Sequence, residues 1–174
     1  MKGANISKLI REPSSALRFI KHQSRDATLH FLQWSGIAGV LQEAIVREPY
    51  IHGDSSRVST GENTSLEAGV WLNTRSGSIE IGDKVMIGRN VQLITGTHDF
   101  NKTGRERIET VPTEGRDIII HDGAWISWGV DVIGPCEIGE NTVISAGSVV
   151  IDDCEANAIY AGNPAKKVSE IDIE

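Results

Sequence analysis

The chain has 174 residues, a length that suits one domain or one domain with an appendage. Hydrophobic residues make up 39% and charged residues 24%, which excludes a disordered chain; aromatics are only 5% against 18 glycines, so the core must be built from Ile, Val, Leu and Ala. The net charge of −7 speaks against a general nucleic-acid binder, and no apolar run reaches the roughly 20 residues that span a bilayer.

Residues 1–34 carry six basic side chains (Lys2, Lys8, Arg11, Arg18, Lys21 and Arg25) against Glu12 and Asp26, so a basic start precedes an acidic body. Ser14 or Ser15 is placed to cap a short helix over residues 16–20. A second helix-like pattern runs from Leu29 through Trp34 and, past Ser35-Gly36, to Ile45. The prediction is an N-terminal helical segment over residues 1–50. Its basic charge is read as a solvated helical face, with peripheral contact to an anionic membrane or an acidic partner as the alternative. The N-terminus lacks a signal-peptide pattern, and Cys136 and Cys154 are too few for a disulfide framework. A reducing cytoplasm is the expected compartment.

From residue 51 a repeat takes over. Stepping by six from Ile120 gives Ile126, Val132, Ile138, Ile144 and Val150, all aliphatic and β-branched. Four residues after each step stands a small or compact side chain: Ala124, Val130, Cys136, Thr142, Ser148 and Cys154. The pattern runs earlier through Ile81, Ile87 and Leu93, followed by Val85, Val91 and Thr97, and more weakly through Leu66 and Leu72. Between Leu72 and Ile81 its phase slips by three residues. A period of six fits neither a helix nor an alternating strand. It fits a short strand plus a corner, the aliphatic residue pointing in and the small one lying under the turn. Three such sides close an 18-residue coil, and stacked coils make a parallel β-helix over residues 51–157, with 158–174 as a C-terminal tail. The two cysteines lie 18 residues apart in the small inward column, so packing one above the other is their expected role.

The repeat breaks after Thr97, and residues 99–113, with Gly104, Pro112 and the charged run Lys102 to Arg107, read as a loop thrown out from a coil. Loops on rigid scaffolds commonly carry function. His98 stands where the repeat ends and the loop begins; an imidazole there can take and return a proton near neutral pH, so it is the candidate general base. Asp99 beside it is left without a role. His121 sits in the turn His121-Asp122-Gly123 and reads as structural or exposed. A zinc site needs several convergent ligands, and His98 and His121 are the only histidines within the clear coils, so no metal is expected.

The hexads, together with Gly96-Thr97-His98-Asp99, Asp122-Gly123-Ala124-Trp125-Ile126, Ile144-Ser145-Ala146-Gly147-Ser148-Val149-Val150 and Ala161-Gly162-Asn163-Pro164-Ala165-Lys166, resemble the hexapeptide-repeat acetyltransferases over roughly residues 58–170. The nearest flavour is the maltose and galactoside branch with its polysaccharide O-acetyltransferases. The resemblance implies a left-handed β-helix, a homotrimer, and acetyl-CoA as acyl donor in a cleft between neighbouring prisms. It implies that His98 is the catalytic base, that Trp125 lines the acceptor site, with Asn73 the nearest match to an acceptor-binding Asn, and that Ala146 and Lys166 attend the cofactor. Trp128 stands at a corner where the family carries a small residue beside the thioester, and it is assigned to the cofactor tunnel. The activity implied is O-acetylation of a sugar or polysaccharide-precursor hydroxyl. Acetylation of an amine, as on an amino sugar, and a non-enzymatic prism used as a scaffold are the alternatives.

Overall fold

The computed structural model describes residues 49–172. The predicted N-terminal helices, and with them the basic segment, lie outside the described residues.

Three short strands make each coil. The first coil runs β1 (Tyr50–His52), β2 (Val58–Thr60) and β3 (Ser65–Leu66), and the second β4 (Trp71–Asn73), β5 (Ile79–Ile81) and β6 (Met86–Ile87). The third begins with β7 (Gln92–Ile94), departs into a loop that carries the helix α1 (Gly104–Glu109), and returns through β8 (Ile118–Ile120) and β9 (Trp125–Ile126). The fourth is β10 (Asp131–Ile133), β11 (Cys136–Ile138) and β12 (Val143–Ile144). The chain then continues through β13 (Val149–Val150) to β14 (Ala158–Gly162) and β15 (Ala165–Glu170). Every third strand pairs in parallel up to β13, and β14 then pairs with β12, giving the sheets β1-β4-β7-β10-β13, β2-β5-β8-β11 and β3-β6-β9-β12-β14. β15 closes the last of these as an antiparallel hairpin on β14, so the region after residue 157 is strand rather than loose chain. The result is a three-sided parallel β-helix.

The hexad pattern explains why these residues form these strands. Ile81, Ile87, Leu93, Ile120, Ile126, Val132, Ile138, Ile144 and Val150 are all buried in one continuous core. Each such side chain contributes roughly 1.5–3 kcal/mol when removed from water. The small residues Val85, Val91, Ala124, Val130, Cys136, Thr142, Ser148 and Cys154 are buried beneath the corners. Their polar members are satisfied: the Thr142 hydroxyl donates to the Glu155 carbonyl at 2.6 Å, and Ser148 Oγ accepts from the Gly162 amide at 3.1 Å. Two corners of the coil turn through the left-handed region. One column is Asn63, Lys84, Gly123, Asn141 and Asn157, with φ between 55° and 69°; the other is Gly69, Asn90, Gly129 and Gly147. Asn and Gly suit this conformation, and Lys84 is the exception.

The third corner, between the first and second faces, is where chain length varies. Counted between positions equivalent in strand register, the corner takes nine steps from Ile51 to Thr60, nine from Leu72 to Ile81, 27 from Leu93 to Ile120, six from Val132 to Ile138 and four from Val150 to Cys154. The phase slip seen in the sequence and the loop therefore belong to the same corner. Two expectations are corrected here. After Leu93 the inward polar position is Thr95, fully buried, rather than Thr97, because the chain is already leaving the coil. Cys154 pairs with Ile138 rather than lying over Cys136, because the last passage of this corner is shortened by two residues.

Candidate active site

His98 follows β7 by four residues and is exposed at the base of the loop. Its Nδ1 lies 3.0 Å from the carbonyl oxygen of Arg107, in the last turn of α1. A carbonyl oxygen only accepts, so this contact requires the proton on Nδ1 and leaves the Nε2 lone pair as the proton acceptor. Asp99 does not act on the ring: its Oδ1 accepts the amide of Asn101 at 3.0 Å, closing a tight turn.

Three arginines hold the loop through main-chain carbonyls. Arg116 Nε donates to Thr95 O at 2.9 Å where the loop leaves, and Arg57 Nη1 donates to Thr113 O at 2.8 Å where it returns. Arg107 Nε and Nη2 donate to Lys102 O at 2.7 Å and Phe100 O at 3.2 Å within it. At the loop's end Asp117 Oδ1 accepts both the amide and the hydroxyl of Ser78, at 2.6 and 2.8 Å. Those two bonds, the amide first, hold the Asp117 carboxyl below the usual carboxylate range, and the Arg57 charge adds to them. Sequence reasoning marked the loop and the charged run that includes Arg107, but not Arg57 or Arg116. The partners of all three are main-chain carbonyls, which leave no trace in side-chain identity.

Trp125 and Trp128 stand together. They line a cavity of about 330 Å³ with Met86, Ile87, Gly88, Ser65 and Glu67. Met86, Trp125 and Trp128 are 50%, 46% and 60% exposed, far more than core residues of their size. Trp125 sits directly over Met86 in the β6–β9 register. Trp128 lies over Gly88, where an added Cβ would meet the indole Cδ1 at 2.4 Å. Trp128 O also accepts the Gly147 amide at 3.0 Å, which sets the exposed Ala146 on the same corner one coil further along. Gly129 and Gly147 at that corner have open space where a Cβ would stand. Lys166 is on β15, its Nζ 3.3 Å from Asp152 Oδ2 at an exposed ion pair. Asn73 is buried at the end of β4, its Oδ1 accepting the Arg75 amide at 3.1 Å and its side chain filling the space beside Gly96. Neither His98, Asn73, Ala146 nor Lys166 lines the tryptophan cavity.

A larger cleft of about 560 Å³ is lined by His121, Glu137, Glu140, Asp153 and Glu155 among others. His121 Nε2 contacts Glu137 Oε1 there. The cleft holds no candidate site residue, and its carboxylates repel phosphates. Burial pushes the thiols of Cys136 and Cys154 up to about 12, so both are unreactive. Among the described residues no group of three or more His, Cys, Asp or Glu side chains is arranged to hold a metal, and no helix is long and apolar enough to cross a membrane.

No family model matches the chain. It is 34% identical to a provisionally named acetyltransferase of Dictyostelium discoideum over 139 residues, which is 78% of this chain and 70% of that protein. It is 31% identical to the galactoside O-acetyltransferase of Escherichia coli over 77% of this chain and 64% of that one. Among solved structures, a galactoside acetyltransferase in complex with coenzyme A superposes with a TM-score of 0.63 at 27% identity, over 70% of this chain and 59% of that one. A hexapeptide-repeat acetyltransferase of Vibrio cholerae shares the fold across 99% of this chain and 92% of its own, with a TM-score of 0.63 at 22% identity. The chain belongs to the hexapeptide-repeat acetyltransferases. It spans 45%, 63% and 58% of the lengths of three further curated relatives that it matches.

Proposed function

We propose that the protein is an acetyl-CoA-dependent O-acetyltransferase acting on a sugar or polysaccharide-precursor hydroxyl in the cytoplasm. The observation that carries the reading is His98, exposed at the loop base with Nδ1 committed to the Arg107 carbonyl and Nε2 left to accept a proton. Nε2 takes the proton of the acceptor hydroxyl as its oxygen attacks the thioester carbonyl, the C–S bond breaks, and coenzyme A leaves as the thiol once it is protonated. The transfer is direct, and holding both substrates in line supplies much of the rate.

The β-helix is left-handed in this reading, with residues 1–50 as a helical segment before it, and three copies associate. Exposed Phe100 and Ile108 on the loop, and Met86, Trp125 and Trp128 on the third face, are apolar surface that a second copy would cover. Association also accounts for the separation of His98 from the tryptophan cavity within one chain, since a neighbouring copy would bring one to the other. Trp128 and Ala146, on one corner of successive coils, flank the pantetheine arm, and Lys166 attends the phosphates. Trp125 meets the acceptor, and Asn73 supports the acceptor side through the strand end that leads to His98. The galactoside relatives favour a sugar hydroxyl over an amine as acceptor.

Coenzyme A release measured across a panel of sugars, nucleotide sugars and amino sugars tests the reading. His98→Ala should leave the protein folded and lower turnover about 10²–10⁴-fold. Near-normal turnover in the folded variant would remove His98 as the base. Trp128→Gly is expected to weaken acetyl-CoA binding; activity appearing only in that variant would show a blocked tunnel and a non-enzymatic prism.

A further inference from the structure

We infer that Arg107 is a positioning residue for His98. Its main-chain carbonyl fixes the imidazole as the Nδ1–H tautomer, and its guanidinium holds that carbonyl in place by closing the loop on Phe100 and Lys102. The inference rests on reading His98 as the base, and it concerns how that base is prepared.

A free imidazole in water favours the proton on Nε2. In that form the lone pair is on Nδ1, turned toward the ring's own backbone and poorly placed to meet a substrate. The Arg107 carbonyl, 3.0 Å from Nδ1, reverses the preference. This oxygen is available because α1 ends there: Glu106 O accepts the Thr110 amide, while Arg107 O lies past the last helical partner. His98 thus fills an acceptor that the helix leaves over.

The side chain of the same residue makes the arrangement rigid. Nε and Nη2 fork onto Lys102 O and Phe100 O, at 2.7 and 3.2 Å, and the Arg107 amide reaches back to Thr103 O at 3.4 Å. Arg107 is therefore tied to the first part of the loop by its side chain and to His98 by its carbonyl. The planar fork reaches two carbonyls at once, which a lysine ammonium at the end of a flexible stem does less well. The other charged residues of the loop act differently. Lys102 pairs with Glu106 and Arg105 with Glu109, both at 2.7 Å and four residues apart, and neither pair reaches the histidine. Arg107 is exposed, so its bonds add little to global stability. Their effect is local, and a misplacement of about 1 Å in a reacting group can cost about 10²-fold in rate.

The test uses the full chain labelled with nitrogen-15. Long-range proton–nitrogen spectra read the tautomer of each of the five histidines, and His98→Gln assigns the His98 signals. The wild type should show His98 with the Nδ1–H pattern. Arg107→Ala should shift it toward Nε2–H and lower kcat about 10- to 100-fold with acetyl-CoA and methyl β-galactoside, leaving KM for acetyl-CoA and the melting temperature near wild type. Arg107→Lys should recover part of the tautomer pattern and part of kcat. Arg107→Gln gives the same reading should the alanine variant melt early. A wild-type His98 in the Nε2–H form, or an unchanged pattern in Arg107→Ala and Arg107→Gln, overturns the inference. The spectrum decides it without turnover, so loss of the base reading through an active His98→Ala is a separate result.

Discussion

The stacked coils and the loop they carry are built on opposite principles. In the coils, position is set by burial: Ile87, Leu93, Ile120, Ile126, Val132, Ile138 and Ile144 are sealed from water, and each strand is fixed by the strands of the neighbouring coils. In the loop, α1 has no buried residue, and Phe100 and Ile108 are 78% and 70% exposed. What holds it is a set of guanidinium bonds to carbonyls, from Arg57, Arg107 and Arg116. The difference teaches that the scaffold tolerates little change in its apolar column, whereas the loop can open locally while the coils stay intact. A histidine on such a loop keeps its geometry through polar staples and can still move with the loop.

The comparison can be broken most forcefully from the core side. Ile138→Ala should destabilise the protein by about 2–5 kcal/mol in a urea melt, since a close-packed column collapses poorly around a cavity. A loss near zero would mean the column is not the structural core. Arg57→Ala should do the reverse. Its bond to Thr113 O contributes on the order of 1 kcal/mol, so limited proteolysis within residues 99–113 should quicken about fivefold while the melting temperature barely moves. Matching losses in loop protection and global melting would show that loop and coils unfold together. Lys84→Gly addresses the scaffold's one charged left-handed corner, at φ 56°. Relief of that strain, offset in part by the flexibility of glycine in the unfolded chain, should raise stability by about 0.5–1 kcal/mol in the same melt. The smallest effect concerns Asp117, whose carboxyl is held below its ordinary value of 3.8 by the Ser78 amide and hydroxyl. With the folded pKa below the unfolded one, its contribution is complete above the ordinary value and is lost as pH falls through the lower folded value. Hydrogen exchange at the Ser78 amide should therefore gain protection less steeply with pH in Asp117→Asn than in wild type across the acid range. Parallel profiles would remove Asp117 as a clasp.

The same contrast explains what could be read from the sequence. The hexads were legible because burial imposes a period, and Ile120, Ile126, Val132 and Ile138 repeat it without interruption. The place of His98 at the base of a loop was legible because the period stops beside it. The loop's helix was not, since Gly104–Glu109 is short and wholly exposed and so carries no apolar stripe. The bond from Arg57 to Thr113 spans 56 residues and ends on a carbonyl, which every residue possesses. The offset of Cys154 from Cys136 escaped for a related reason: a shortened corner changes which residues stack without changing which are small. The pairing of Trp125 with Trp128 was visible as two tryptophans, but their common cavity depends on Gly88 from the preceding coil.

Cys136 and Cys154 give the scaffold a built-in reporter. Both thiols are buried, and burial pushes each up to about 12, so neither should react with a maleimide at neutral pH while the coils are stacked. Any covalent labelling then counts molecules whose prism has come apart, and it does so without an engineered residue. Thiol labelling and proteolysis within residues 99–113 would then time opening of the prism and opening of the loop separately in the same protein.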